Sequence, residues 1–285
     1  MRLLRLQDVE IGSKDRVFRH ARLRALIVWL AGFAASIALF YNGYVGKWSP
    51  GYIFGAVVLL FVLLTRRFVT ARFHPSNWLV RMNDLGIYIQ YRSYLNYEFP
   101  AEDPSVTFLS FGEIASARLV KERVTTPDPA KPGTSQTQFL RYIDLELSGD
   151  TAPLANALQA ERGEQAPLKK RWYGGTSSTL YRDYPVTMTA PNTIRIHWNV
   201  VPGTHRFLNA LRPYTVIKDP ISLRQDFTRT KSLSREDQEK QLRELVARGQ
   251  NMTAVSMASK LYGCSLGEAK QMVDSLSANQ DKVPQ

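Results

Sequence analysis

The chain has 285 residues, of which 44% are hydrophobic and 22% are charged, proportions that suit a globular protein of one large domain or two modest ones. The formal net charge of +12 favours an anionic partner, either nucleic acid or a membrane surface that contains acidic lipids. The single cysteine, Cys264, excludes an internal disulfide and a cysteine-based metal site, and no two of the four histidines have the i, i+4 spacing of a helical metal site.

Two apolar runs near the N-terminus predict membrane-spanning helices over about 25–42 and 50–66, after a basic segment at 1–24. A helix needs roughly 17–25 apolar residues to cross the hydrocarbon core, and both runs approach that length without a charge before Arg66. The short connection contains four turn-forming residues, Gly43, Gly46, Pro50 and Gly51. It therefore predicts an antiparallel hairpin. The absence of charge inside the runs is typical of an anchor and not of a transport or proton pathway.

The flanking charges predict the orientation of this hairpin. The connection carries only Lys47, whereas the outer flanks carry Arg16, Arg19, Arg22 and Arg24 before the first helix and Arg66, Arg67 and Arg72 after the second. The positive-inside rule therefore predicts that both termini lie on the cytoplasmic side of a bacterial-type inner membrane. We expect Trp48, Arg66 and Arg67 to anchor the hairpin at the two interfaces.

Each apolar run has an alternative interpretation. The first also fits a signal peptide, but a long segment precedes it and no small-x-small cleavage site follows. The second also fits a buried core helix, because its strictly apolar stretch is short.

Short segments rich in β-branched and aromatic residues predict an antiparallel β domain over 75–217. The predicted strands lie at 78–82, 87–94, 106–111, 115–124, 139–147 and 193–198. Between them we expect a proline-rich loop at 125–137, a helix at 150–162 and an irregular polar stretch at 169–184. A short amphipathic helix opens at Pro202, which predicts a small β-barrel or β-sandwich closed by a helical plug.

Three stretches of this domain resemble the bacterial pleckstrin-homology-like domains, which often follow a pair of transmembrane helices. They are Met82-Asn-Asp-Leu-Gly-Ile-Tyr-Ile89, Phe111-Gly-Glu-Ile-Ala-Ser-Ala117 and Pro202-Gly-Thr-His-Arg-Phe-Leu-Asn-Ala-Leu211. The resemblance implies a PH-like scaffold that binds peptides or lipid headgroups and has no chemistry of its own. The long insertions at 125–137 and 150–184 depart from the family's strand pattern.

Beyond a polar linker at 218–233, we expect a module of three short helices at 234–277. Ser234 and Ser265 are each followed three residues later by an acid, the form of a capping box. The segments 249–255 and 262–273, above all Leu266-Gly-Glu-Ala-Lys-Gln-Met-Val273, resemble the helix-turn-helix of the ribosomal stalk protein's C-terminal domain, without its β-strands. The resemblance implies a module that docks a partner; helices that pack on their own chain are the alternative.

Lys169, Lys170 and Arg171 are the best candidates for contacting anionic lipid headgroups. The glycine turn that follows them lacks the spacing of a phosphate-binding P-loop, so a turn beside a solvated charge run is the alternative. No catalytic or dinucleotide motif occurs in the sequence, and we therefore expect no enzymatic activity, no cofactor and no metal site. Nucleic acid is disfavoured because the sequence has no basic helix and no aromatic run interleaved with Lys or Arg.

Together these patterns predict an α+β membrane protein whose function is binding. Its expected partners are the lipid bilayer, a protein recruited through the β domain or the C-terminal helices, and anionic lipid. One alternative is an accessory subunit of a transport or secretion machine. Another is a membrane enzyme in which His197 or His205 meets a carboxylate from a distant part of the chain. The sequence does not indicate an oligomeric state.

Overall fold

A computed structural model describes residues 1–99, 102–127, 134–163, 169–170, 176–177, 181, 183–226, 234–247 and 251–280. The fold is mixed α+β, as expected, and the chain divides into two compact units. The hairpin unit consists of Met1–Ala115, Leu147–Thr187 and Asn199–Thr215. The helical unit consists of Ser116–Glu146, Met188–Trp198 and Val216–Gln285.

Two long apolar helices, α1 (Arg22–Val45) and α2 (Ser49–Phe73), dominate the hairpin unit. At 1.5 Å per residue each is about 36 Å long, so both are long and apolar enough to cross a membrane. Only 6% of the most apolar window of α1 and 11% of that of α2 are buried inside the protein. A core helix is mostly buried, so these helices do not have the packing that the buried-core alternative requires.

Small residues and side-chain hydrogen bonds hold α1 and α2 together as an antiparallel pair. The Ser36 hydroxyl donates to the Gly55 carbonyl over 2.8 Å, so these two residues face each other. The Trp29 indole donates to the Val62 carbonyl over 2.9 Å. Near the turn, a Cβ added at Gly51 would lie 2.9 Å from Cα of Gly43, so the two backbones touch.

A five-stranded sheet lies in the same unit and uses chain from both sides of the helices. Its strands are β1 (Arg2–Arg5), β2 (Arg16–Phe18), β3 (Val80–Met82), β4 (Gly86–Gln90) and β5 (Pro104–Ser110), in the order β1-β5-β4-β3-β2. Antiparallel pairing joins β1 to β5 and β2 to β3. The segment 1–24, expected only as a basic flank, therefore supplies two strands of a folded sheet.

The hairpin unit also contains two shorter helices. They are α3 (Ala152–Gly163), close to the predicted 150–162, and α4 (Thr204–Leu211), the expected amphipathic helix after Pro202. A buried bidentate ion pair ties α3 to the chain after β4, because both Arg92 Nε and Nη2 lie 2.8 Å from the Glu161 carboxylate. The Phe207 ring of α4 packs edge-on against Phe18 at 5.2 Å between centroids.

The second five-stranded sheet belongs mainly to the helical unit. Its strands are β6 (Ile114–Pro127), β7 (Ser135–Leu147), β10 (Val186–Ala190), β11 (Thr193–His197) and β12 (Val216–Asp226), in the order β10-β11-β7-β6-β12. Two short strands of the hairpin unit, β8 (Lys169–Lys170) and β9 (Thr176–Ser177), pair only with each other. The predicted loop at 125–137 is wrong at both ends, because β6 runs to Pro127 and β7 begins at Ser135. Residues 128–133 lie outside the described part of the chain.

Strand β12 corrects the prediction of a polar linker at 218–233. It pairs in parallel with β6, and its register shifts between Lys218 and Ile221. This irregularity accommodates Pro220, which cannot donate a ladder hydrogen bond. Residues 227–233 lie outside the described part of the chain. The parallel pairing also departs from the wholly antiparallel domain that we expected.

Three helices, α5 (Arg235–Ala247), α6 (Asn251–Tyr262) and α7 (Leu266–Gln280), confirm the predicted C-terminal module. Their shared core is made by Leu242, Leu245, Val246, Ala254, Val255, Met257, Ala258, Ala269 and Val273. Val124 of β6 is part of the same cluster, and Leu140 of β7 packs against it. The module therefore buries apolar surface on its own chain, as the alternative interpretation supposed.

Candidate membrane-proximal site

The last two turns of α2 leave the apolar stretch and bind the rest of the hairpin unit. The apolar run ends at Leu64, but the helix continues to Phe73. Within this extension Arg67 Nη2 lies 3.0 Å from the Glu98 carboxylate. The Arg67 guanidinium also lies over two tyrosine rings, 5.9 Å from the centroid of Tyr97 and 5.1 Å from that of Tyr181. This arginine is held by the protein on three sides.

The start of α1 and the end of α2 are locked by a pair of arginines. Arg22 Nε donates to the Arg72 carbonyl over 2.8 Å, and Arg22 Nη2 donates to the His74 carbonyl over 3.4 Å. In return Arg72 Nη1 donates to the Ala21 carbonyl over 3.2 Å, and Arg72 Nε donates to the Tyr94 hydroxyl over 3.3 Å. The two ends of the hairpin are thereby fixed at the same level.

Asn77 joins the chain that enters α1 to the chain that leaves α2. Its side-chain oxygen accepts from the His20 amide over 3.2 Å, and its side-chain nitrogen donates to the His20 carbonyl over 3.1 Å. The same nitrogen donates to the Arg72 carbonyl. Because Asn77 is 1% exposed, these bonds are shielded from water, and their loss would leave buried polar groups unpaired.

Aromatic rings surround these arginines. Phe68 packs edge-on against Tyr181 at 5.3 Å, His74 stacks on Tyr97 at 5.0 Å, and His20 lies 4.0 Å from Tyr94, all between ring centroids. The Asn96 side chain holds the backbone of Tyr181 by two hydrogen bonds of 3.0 Å. We name the set Arg22, Arg67, Arg72, Tyr94, Tyr97 and Tyr181 the arginine–tyrosine collar.

The composition of the collar matches that of a membrane–water interface. Tyrosine has an apolar ring and a polar tip, and arginine has an apolar stem and a charged head, so both side chains are enriched where hydrocarbon meets water. The collar lies at the point where the apolar stretches of α1 and α2 end. Sequence reasoning missed its tyrosines, although an aromatic belt beside a predicted hairpin would have been the pattern to seek.

The predicted anchors lie at both ends of the hairpin. Trp48 lies at the turn, where its amide donates to the Gly43 carbonyl over 3.0 Å and its side chain is 45% exposed. Arg66 is exposed, and its neighbour Arg67 belongs to the collar. Contact of these three residues with lipid stays a prediction.

The predicted headgroup residues fall largely outside the described part. The backbones of Lys169 and Lys170 form β8, which pairs with β9, but their side chains are not described, and neither is any part of Arg171.

The histidines of the enzyme alternative lie on different units. The His197 ring lies 5.2 Å from the ring of Tyr142 on β7, and His205 is exposed at the start of α4. Beside His197, Arg195 forms a bidentate ion pair of 2.7 and 2.8 Å with Asp144, which raises the pKa of the Arg195 guanidinium. Among the residues whose positions are described, no three His, Cys, Asp or Glu side chains are grouped so that they could hold a metal ion.

Comparisons of this chain with protein-family models, with curated proteins and with solved structures find no match. The resemblances to pleckstrin-homology-like domains and to the ribosomal stalk protein stay predictions. Any function must therefore be inferred from the hairpin, the collar and the exposed surfaces.

Proposed function

We propose that this chain is a membrane-tethered binding module: the α1–α2 hairpin crosses the bacterial inner membrane twice and holds the rest of the chain in the cytoplasm, where it recruits a protein partner. The observation that carries the proposal is the pairing of β1 and β2 with β5 and β3. Strands from both flanks of the hairpin can share one sheet only if both flanks lie on one side of the membrane. A hairpin that crosses twice meets this requirement, whereas a single crossing does not.

The surface of the hairpin supports insertion into lipid. Its outward face carries exposed side chains such as Ile27, Ile37, Val57, Leu60 and Leu64. A continuous apolar surface of this kind is unfavourable in water and needs a cover. The uncharged stretch of α1 between Arg24 and its end at Val45 is about 31 Å long, close to the roughly 30 Å of the hydrocarbon core.

The distribution of charge supports the cytoplasmic orientation. Arginines cluster at the open end of the hairpin, and the turn carries only Lys47. The arginines at the open end that the collar does not bind, such as Arg24 and Arg66, are exposed and free to meet acidic headgroups.

A sheet edge supports the recruitment of a protein. Within the described part of the chain, β12 is an edge strand of its sheet, so the backbone groups on its outer side are available for pairing with another strand. Val216 is 65% exposed and Leu223 37% exposed on this strand. The C-terminal helices bury their apolar residues in their own core, which makes β12 the better candidate. A barrel or sandwich of the PH-like kind is part of the same proposal.

The membrane part is tested by extraction and labelling. Cys264 is the only cysteine of the chain, so a membrane-impermeant maleimide reports its side of the membrane. We expect the chain to stay with the membrane in alkaline carbonate and Cys264 to be labelled only after the cells are opened. A Cys264→Ser, Lys47→Cys variant should be labelled in intact spheroplasts. Release by carbonate, or labelling of Cys264 in intact spheroplasts, would contradict the proposal.

The partner part is tested by crosslinking in membranes. Proteins crosslinked to the full chain are compared with those crosslinked to a Val216→Asp, Leu223→Asp variant. Leu85→Asp is the control, because Leu85 is 72% exposed in the turn before β4. We expect the β12 variant to lose a partner that the control keeps; equal recovery from both would contradict the assignment of β12.

A further inference from the structure

An open groove of about 420 Å³ lies at the level where α1 begins. It is lined by Val17, Arg19, His20, Arg22, Val201, Pro202 and Arg206, all within the hairpin unit. Backbone hydrogen bonds of 2.9 and 2.8 Å between Arg19 and Val201 form one wall, which extends the edge strand β2. We name this feature the arginine groove.

The charge of the arginine groove is positive and uncompensated by its lining. Three of the seven lining residues are arginines and none is acidic. Among the described residues, Arg19 and Arg206 form no ion pair and no side-chain hydrogen bond, and both are exposed. Asp15, the carboxylate nearest to Arg19 in the sequence, is already paired with Arg81 at 3.5 Å.

Two helices begin at this groove, which adds to its positive potential. The N-caps of α1 and α4 are Ala21 and Gly203, and neither residue provides a side-chain cap. The positive ends of both helix dipoles thus add to the field of the three guanidinium groups.

The surroundings of the arginine groove select the chemistry of its ligand. Guanidinium groups bind phosphate oxygens in a bidentate manner, so the groove suits a phosphate. The turns of α1 that follow Arg22 carry Leu23 and Ile27, which are 68% and 56% exposed. A ligand with a phosphate and adjoining hydrocarbon chains satisfies both surfaces.

We propose that the arginine groove binds the phosphate of an anionic phospholipid while the acyl chains of that lipid run along the adjacent apolar surface of α1. This inference rests on the proposed membrane insertion of the hairpin. It places lipid recognition on Arg19, Arg22 and Arg206, which are separate from Lys169, Lys170 and Arg171.

The experiment measures thermal stabilisation of the full chain in dodecylmaltoside, because a ligand that binds the native state raises the unfolding temperature. Dioleoylphosphatidylglycerol, dioleoylphosphatidylcholine and inorganic phosphate are titrated separately. We expect stabilisation by phosphatidylglycerol at concentrations where the other two have no effect. Equal stabilisation by phosphatidylcholine, or by inorganic phosphate, would overturn the assignment to an anionic lipid.

Two matched variants locate the site. Arg19→Gln, Arg206→Gln should lower the apparent affinity for phosphatidylglycerol about fivefold for each charge removed. Arg2→Gln, Arg5→Gln removes the same charge from exposed positions on β1, at the other edge of the sheet, and should change it less than twofold. Equal losses in both variants would indicate general attraction and overturn the groove. If the first variant does not fold, Arg206→Gln alone carries the same expectation for one charge.

The two proposals fail in different ways. Release of the chain by alkaline carbonate would contradict membrane insertion. A chain that stays in the membrane but shows no preference for phosphatidylglycerol would overturn the arginine groove alone.

Discussion

At the scale of single residues, the glycines show where backbone meets backbone. A Cβ added at Gly86 would lie 2.1 Å from the Leu109 carbonyl oxygen and 2.9 Å from Cα of Ser110. Neither atom can rotate away, because both belong to the backbone of β5, the strand that pairs with β4. A Cβ at Gly112 would meet nothing within 4 Å.

We therefore expect Gly86→Ala to destabilise the hairpin unit by about 2 kcal/mol or more and Gly112→Ala to change its stability by less than about 0.5 kcal/mol. The measurement is thermal unfolding of both variants in detergent, followed by tryptophan fluorescence. Equal unfolding temperatures for the two variants would contradict the close approach of β4 and β5.

The capping box of α7 is a second residue-scale feature. The Glu268 carboxylate accepts from the Ser265 amide over 2.9 Å and from the Ser265 hydroxyl over 2.8 Å. These bonds hold the pKa of Glu268 below its ordinary value, with the backbone bond as the larger cause. Because the folded-state pKa is depressed, the stabilisation is present above the ordinary glutamate pKa of about 4.3 and is lost as pH falls through the folded-state pKa.

Replacing Glu268 by Gln should therefore lower the unfolding temperature at pH 6 and have progressively less effect below about pH 4. Asp274→Asn is the control, since Asp274 is an exposed carboxylate of the same helix that makes no described capping bond. A loss of stability that is the same at pH 3 and pH 6 would show that the carboxylate does not act through its charge.

At the scale of elements, the hairpin turn depends on one close helix contact. A Cβ on Gly51 would lie 2.9 Å from Cα of Gly43 and 3.0 Å from the Leu39 carbonyl, so Gly51→Ala must push α2 away from α1. We expect a loss of about 1–3 kcal/mol, the usual cost of overpacking. Ile53→Ala, at a position 65% exposed on the same helix, should cost less in detergent. Thermal unfolding of both variants checks this expectation, and a smaller loss for Gly51→Ala than for Ile53→Ala would contradict it.

Elements with strong local signals were predictable from the sequence, and elements defined by distant partners were not. The apolar runs of α1 and α2 and the caps of α5 and α7 each lie within a few neighbouring residues. By contrast, β1 is the four-residue segment Arg2–Arg5, which becomes a strand because it pairs with β5 about a hundred residues later. In β12, Lys218 and Pro220 interrupt the apolar alternation and give the appearance of a linker.

The contacts of the collar's arginines were unpredictable for the same reason. Arg22 and Arg72 are fifty residues apart and meet only because α1 and α2 return to the same level. Each arginine taken alone predicts a flanking charge, and the sequence contains no local mark of the carbonyl groups that it binds. The positive-inside pattern therefore identified the arginines of the collar but neither its tyrosines nor the contacts of the arginines with the protein.

At the scale of the whole molecule, the hairpin is an insertion within one folded unit. The sheet begins before α1 and resumes after α2, and the Arg72–Ala21 hydrogen bond shows that the chain enters and leaves at neighbouring points. Lipid therefore need not contribute to the folding of this sheet. In the proposed topology lipid needs only to cover the helices, and the collar would separate the lipid-facing part from the rest of the hairpin unit.

If the hairpin is the proposed tether, it is removable. Replacing residues 25–65 by about eight Gly and Ser residues should give a soluble protein that keeps its sheets, because such a linker reaches about 15 Å and adjacent helix axes lie 8–10 Å apart. The arginines of the collar remain in this variant. Circular dichroism and sedimentation measure its secondary structure and solubility, and an insoluble variant would show that the helices are part of the core and not a tether.

Deleting only residues 49–65, which removes one crossing, should instead place β2 and β3 on opposite sides of the membrane and prevent their pairing. The sensitivity of this variant to protease in membranes measures the outcome. A protease-resistant variant would likewise show that the helices are part of the core and not a tether.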